Sequence, residues 1–246
     1  MRILLSDAAW GATWGKAKAM TPGEFFLAFA SHHSVAVYSG LALVFEVVAI
    51  YLATSWQELL LPPLMVAAIY PMVEFLVHRY VLHSQLFYKQ PQTAAFWRRV
   101  HYDHHMNPND LSVLFGALYT TLPLVLALTL PLGYFTLGLA GACATLAAGL
   151  TAFLIYEFFH CAAHLPVRFP FAFMQRLRRH HALHHFHAEK GNYGIATGIA
   201  DRLIGTSYDA ADAMPRSATV NNLGYTEEVA QRYPWVAMLD RDLERP

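Results

Sequence analysis

Apolar residues in this chain come in unbroken blocks rather than as stripes. From Leu111 to Tyr156, 46 consecutive positions carry no Asp, Glu, Lys, Arg or His, more than twice the roughly 20 apolar residues that one helix needs to cross a bilayer. The stretch predicts two spans, 111–130 and 134–158, parted at Pro131-Leu132-Gly133, where proline and glycine favour a turn. Upstream, 34–54 makes a span with Glu46 as its one charge, and 58–82 makes another, kinked at Pro71. Trp56 and Tyr134 are placed like interfacial aromatics. The apolar run that starts at Ile3 is too short for a signal peptide. A soluble all-α protein with greasy helices would instead show polar stripes every three to four residues.

Four spans leave residues 84–110 and 160–208 on one face as a cap, with 209–246 as a polar C-terminal segment beside it. The expectation is a single all-α integral membrane domain over 1–246, with four transmembrane helices and a histidine-rich cap. All 17 Lys and Arg, from Arg2 to Arg245, fall on the cap side. That bias makes the cap cytosolic, at a bacterial inner membrane or the endoplasmic reticulum. Hydrophobic residues reach 56% and charged residues only 14%, against about 25% charged in an ordinary globular chain. This excludes disorder, a nucleic-acid-binding stripe and a disulfide mini-protein. Cys143 and Cys161, if on one helix, are too far apart to bridge.

Histidine is the outlier, at 14. Ten fall into four groups: His78 and His83 (His-x4-His), His101, His104 and His105 (His-x2-His-His), His160 and His164 (His-x3-His), and His181, His184 and His185 (His-x2-His-His again). Chance predicts about 0.04 occurrences of His-x2-His-His at this composition, and there are two. Residues three or four apart share a helix face, so each His-x2-His-His segment is expected to aim its rings at one point. His78 and His83, five apart, need a bend or a helix end between them, or they serve different ions. Every group sits at a span end on the cap side. Neutral imidazole suits iron, zinc, copper or nickel, and ten ligands fit two ions better than one. His32 and His33 read as interfacial or packing residues, with His180 and His187 as second choices for the ligand set. Glu157 and His160 form the only Glu-x-x-His motif, so a carboxylate-bridged site lacks support. Glu74, Asp103 and Glu157 are instead expected to accept hydrogen bonds from ligand imidazoles.

As a set, these motifs resemble the fatty acid hydroxylase superfamily of membrane di-metal oxidases, which also holds sterol desaturases and oxidases and carotenoid ring hydroxylases. "EFLVHRYVLH" and "HYDHH" are similar to the family's first half; "YEFFHCAAH" and "RRHHALHHFHAEKGNYGIATGIADRLIGTSY" are similar to its second half, over residues 60–208. The His78-to-His83 step and the "GNYG…DRLIGT" tail look most like fatty acid 2-hydroxylases. The resemblance implies that the ten histidines act through two iron ions, with zinc able to replace iron in purified protein. It implies O2 as co-substrate and hydroxylation of a C–H bond in a membrane lipid such as a fatty acyl chain. It also places Asn192 and Asp201 near the site as supports. A cytochrome b5-type domain is common in 2-hydroxylases and is expected to be missing here, so electrons come from a separate donor of ferredoxin or cytochrome b5 type. Desaturase, sterol oxidase and carotenoid ring hydroxylase chemistry remain alternatives within the superfamily. A metal transporter is the remote one, because transporters bind near the membrane midplane and the residues from 111 to 156 offer no histidine.

Overall fold

The computed structural model describes residues 4–243; Ile3, Arg2 and Arg245, used above, lie outside the described residues. Among the described residues the chain is helical, with isolated bridges Leu5–His32 and Met20–Val167 and no strand. Two short helices, α1 (Asp7–Trp14) and α2 (Pro22–Ser31), lead in. Thr21 and Glu24 cap α2 reciprocally, with Pro22 in its first turn. Then come α3 (His33–Leu52) and α4 (Gln57–Val77). Pro71 lies inside α4 without interrupting it. The short helices α5 (Pro91–Trp97) and α6 (Asp103–Met106) precede α7 (Leu118–His164), and α8 (Ala172–Phe186), α9 (Ile199–Ile204), α10 (Glu227–Arg232) and α11 (Trp235–Leu243) follow it.

Among the described residues, three helical stretches are long and apolar enough to cross a membrane: His33–Leu52, Gln57–Lys89 and Leu111–His164. The third is folded back on itself. Helical dihedrals fail at Leu137 and at Gly138, whose φ of 68° favours glycine. A methyl group on Gly133 would strike the Gly141 carbonyl and Thr145, and one on Gly149 would strike Thr129. The limbs 118–136 and 139–164 therefore run antiparallel with their backbones in close approach. This corrects the expected break at Pro131-Leu132-Gly133, which is helical throughout. Gly133 serves contact between the limbs, and the reversal is made where Gly138 adopts a left-handed φ. Residues 111–117 also precede α7 rather than belonging to it, with Leu111–Val113 forming a short 3-10 turn.

Both α3 and α4 pack on α7, and the histidine segments continue directly from α4 and α7 or follow them. The C-terminal segment folds under them: Leu223, Tyr225 and Val236 pack with Tyr88, Ala94 and Trp97. Cys143 and Cys161 are buried and unbridged.

Candidate metal centre

The ten histidines come together as two groups of five. His78, His83, His101, His105 and His184 form one; His104, His160, His164, His181 and His185 form the other. In each group the closest ring nitrogens all lie within 4.8 Å of one another. The expectation that each His-x2-His-His segment converges on one point is corrected. Neighbouring helical residues differ by about 100° in direction, so His104 and His105 cannot share an ion, nor can His184 and His185. Each segment splits. His101 and His105 join the His78 group while His104 crosses to the other; His181 and His185 join the His160 group while His184 crosses back.

The awkward five-residue step is resolved by backbone geometry. Residues His78–Leu82 form a π-turn, closed by the His83 N–H on the His78 carbonyl at 3.1 Å, and π-turns are frequent at functional sites. The rings of His78 and His83 end 4.8 Å apart, so they serve one group. A second π-turn, Arg98–Tyr102, leads into α6 and carries His101.

Eight of the ten rings are buried, and His83 and His164 are half-buried. Nε2 atoms meet across the groups' interiors: His78–His101 at 3.0 Å, His101–His105 at 3.0 Å, His105–His184 at 3.2 Å, His104–His160 at 3.1 Å and His164–His181 at 2.8 Å. The outward Nδ1 atoms explain why these are not ordinary hydrogen bonds. Nδ1 of His105 donates to the Val220 carbonyl at 2.8 Å, and Nδ1 of His184 donates to the Gly191 carbonyl at 2.8 Å. A neutral imidazole with its proton on Nδ1 offers only a lone pair at Nε2, so the 3.2 Å contact between these two rings sets lone pair against lone pair. A cation between them removes that repulsion. Among the described residues His83 Nε2 and both nitrogens of His185 are buried without a hydrogen-bond partner, which points the same way, and the outward Nδ1 of His104, His160 and His181 is buried without one as well. Each such group costs about 1–3 kcal/mol if left unsatisfied. Burial, then the neighbouring imidazoles, hold His101, His104, His105, His181 and His185 well below the usual 6.5. At pH 7 the rings are neutral, the form that binds metal.

The carboxylates have other partners. Glu74 Oε1 accepts from the Ile195 and Ala196 amides at 2.7 Å each. Glu157 Oε1 accepts from the Gly116 amide at 2.9 Å, and its Oε2 lies 4.0 Å from His160 Nδ1. Asp103 pairs with Arg98 at 2.9 Å. The imidazole N–H groups that find an acceptor go to backbone carbonyls instead: Tyr193 for His78, Val220 for His105, Pro108 for His164 and Gly191 for His184. These acceptors escape sequence reasoning because a carbonyl has no letter. Asn192 and Asp201 act one step back. Asn192, at a φ of 57°, bonds the His180 and Tyr208 backbones, and Asp201 accepts from the Tyr193 and Gly194 amides and from Thr206. Burial opposes the Asp201 charge, but the hydrogen bonds from His180, Thr206 and the loop amides hold its carboxyl at about 2.

Of the remaining histidines, His180 faces Asp201 at 3.4 Å and His187 bonds the Met214 carbonyl at 2.6 Å. His32 and His33 gather with Asp7. His32 Nε2 lies 3.0 Å from Asp7, and Asp7 is also held by Arg99 at 2.8 Å. His32 is thus a packed, hydrogen-bonded residue, stacked on Phe115.

Below the two groups lies an apolar cavity of about 170 Å³. Its upper end is lined by four rings, His78 and His101 from one group and His104 and His160 from the other. Val66, Tyr70, Val73 and Val77 of α4 line one side, Leu124, Leu128 and Leu132 another, and Phe153 and Tyr156 a third. Both groups therefore face one apolar slot running into the apolar helices.

The model of the fatty acid hydroxylase family matches residues 63–206. Fatty acid 2-hydroxylase from Rattus norvegicus is 26% identical over 144 residues, covering 56% of this chain and 37% of that protein. The Homo sapiens enzyme of the same name is 25% identical over 141 residues, covering 54% and 36%. The matched stretch thus spans little over a third of these relatives. A solved structure of full-length scs7p, with only its hydroxylase domain visible, superposes with a TM-score of 0.62 at 23% identity, covering 74% of this chain and 67% of that one. That likeness is one of fold.

Proposed function

The chain belongs to the fatty acid hydroxylase family, and on that basis we propose that it is a multi-pass membrane oxygenase that hydroxylates a lipid acyl chain with O2 and electrons from a separate donor. The observation that carries this reading is the pair of five-imidazole groups whose bare Nε2 atoms face each other above a common apolar slot. The residues fit two metal ions. His78, His83, His101, His105 and His184 would hold one; His104, His160, His164, His181 and His185 would hold the other. Iron, when bound, supplies the oxygen chemistry.

This chain's own residues do the rest. The slot excludes water and aligns an unactivated chain under four rings, His78, His101, His104 and His160. The carbonyls of Tyr193, Gly191 and Val220 fix the tautomers of His78, His184 and His105 and aim their Nε2 atoms inward. Because the rings occupy one end of the slot, the oxidised carbon lies near the head end of the chain, with the tail directed into the membrane. The proposed topology is four crossings, made by α3, α4 and the two limbs of α7, with the histidines on the cytosolic side. The absence of any Lys or Arg over 19–78 and 100–167 supports it.

The test is lipid mass spectrometry of a host with and without this chain, under oxygen, alongside metal analysis of the purified protein. Two metals per chain and lipids heavier by one oxygen are expected. A loss of two hydrogens would reassign the reaction to desaturation, and two bound metals with no change in any lipid would discard the oxygenase reading.

A further inference from the structure

The walls of the slot differ in what lies behind them. Toward the rings its lining residues are buried or half-buried, and at its deep end Val66, Thr129 and Gly149 are buried. Ile69 and Leu128 break the pattern: both line the slot, yet they are 42% and 44% exposed. They belong to different walls, α4 and the first limb of α7, and stand at one level. Ile69 lies nine residues below His78. Thr129 packs on Gly149 across the limbs, which puts Leu128 about ten residues below His160. At about 1.5 Å per residue, both are about 14 Å beneath the rings. Leu64, Met72 and Leu76, on the neighbouring outer face of α4, are exposed as well, so the surface these two residues reach is apolar.

We propose that the slot opens sideways into the bilayer between Ile69 and Leu128, and that a lipid chain lies with its head-end carbons beneath the imidazoles and its far end out through this gap. This rests on the hydroxylase reading and goes beyond it, because it decides how the site treats chain length. An extended chain advances about 1.2 Å per bond, so roughly a dozen C–C bonds separate the rings from the gap. Carbons beyond that lie among lipid tails and meet no wall. The protein therefore positions the first part of the chain and does not measure the rest.

The test compares the full chain with I69W/L128W in a host membrane supplied with either a fourteen-carbon or a twenty-four-carbon saturated fatty acid. The unaltered protein should hydroxylate both to a similar extent. The double variant should keep its metal, and its ratio of long-chain to short-chain product should fall by about ten-fold or more. A second measurement needs no variant: the purified protein is photolysed with a twenty-four-carbon acid carrying a diazirine either midway along the chain or at its methyl end. The midway probe should label 66–73 or 124–132, and the terminal probe should label no slot residue. Terminal labelling of Val66, Leu132 or Gly149 would show a closed slot and overturn the gap. So would a double variant without length bias, or an unaltered protein that accepts only the short acid. Failure to hydroxylate either acid would overturn the hydroxylase reading itself.

Discussion

The His78 group and the His160 group are built alike and held differently. Each takes a pair of rings from the end of an apolar helix, an i, i+4 pair from one His-x2-His-His segment, and a single crossing ring from the other segment. Their outer hydrogen bonds set them apart. In the His78 group, three rings donate Nδ1–H to backbone carbonyls of Tyr193, Gly191 and Val220. In the His160 group only His164 does so, while Nδ1 of His104, His160, His181 and His185 is buried and unpartnered among the described residues. A ring with its Nδ1–H bound has a fixed tautomer and a fixed aim. One group is thus oriented by its own hydrogen bonds and the other by packing, so on the proposed reading the second would depend more on its ion.

The largest test removes the crossing rings. H184A should strip the His78 group, and H104A the His160 group; each should lower activity by more than about 100-fold, beyond the loss typical of residues that merely orient a ligand. Metal analysis should show a larger metal deficit for H104A, because the rings left behind have fewer anchors. Equal deficits would erase the proposed contrast between the groups. Next in size is the response to a chelator. Metal release should be biphasic, with the His160-group ion leaving first at an affinity weaker by about 10-fold. A single phase for both ions would contradict this.

A smaller effect is expected at Asp201, which grips the Tyr193 and Gly194 amides and so holds the acceptor of His78. D201N should weaken the His78-group ion by about 10-fold, leave the other unchanged, and cost about 1–3 kcal/mol of stability. Acid should act on the metal-free protein in two windows. Burial, against the Gly191 carbonyl and the Asp201 charge, lowers His184 from 6.5 to about 4. The unfolded chain then takes up the proton first, and stability is lost as pH falls from 6.5 to about 4. The Asp201 contribution, present above 3.8, is lost lower, as pH falls through about 2. Chemical denaturation across pH reads both windows; flat stability between pH 6.5 and 4 would contradict the burial of neutral rings.

Much of this was legible in the chain. Uncharged runs located the apolar helices, and histidine spacing located all ten clustered rings. What the spacing hid was how the rings divide. Sharing a face over i, i+3 and i+4 describes a helix stripe, but an ion is smaller than a stripe, so His104 and His184 part from their neighbours. The π-turn at His78–Leu82 depends on a hydrogen bond that no residue type announces. Pro131 and Gly133 together predict the turn in the long apolar run, yet both are accommodated in the helix and Gly138 makes the reversal. The carbonyl of Val220 comes from a segment whose composition marks it only as polar, and that carbonyl bonds His105.

The smallest expected effect checks whether proximity in sequence has been separated from membership in a group. Asp103 sits between His101 and His104 and belongs to neither cluster; its carboxylate pairs with Arg98, and its side chain is 26% exposed. Such a partly exposed pair contributes at most about 1 kcal/mol. D103A should therefore shift the denaturation midpoint slightly and leave both ions and the hydroxylation rate unchanged. If D103A instead released metal from either group, the aim of the second π-turn would depend on the Arg98–Asp103 pair. The contrast drawn from Nδ1 partners would then have to include the ionic staple between the rings of His101 and His104.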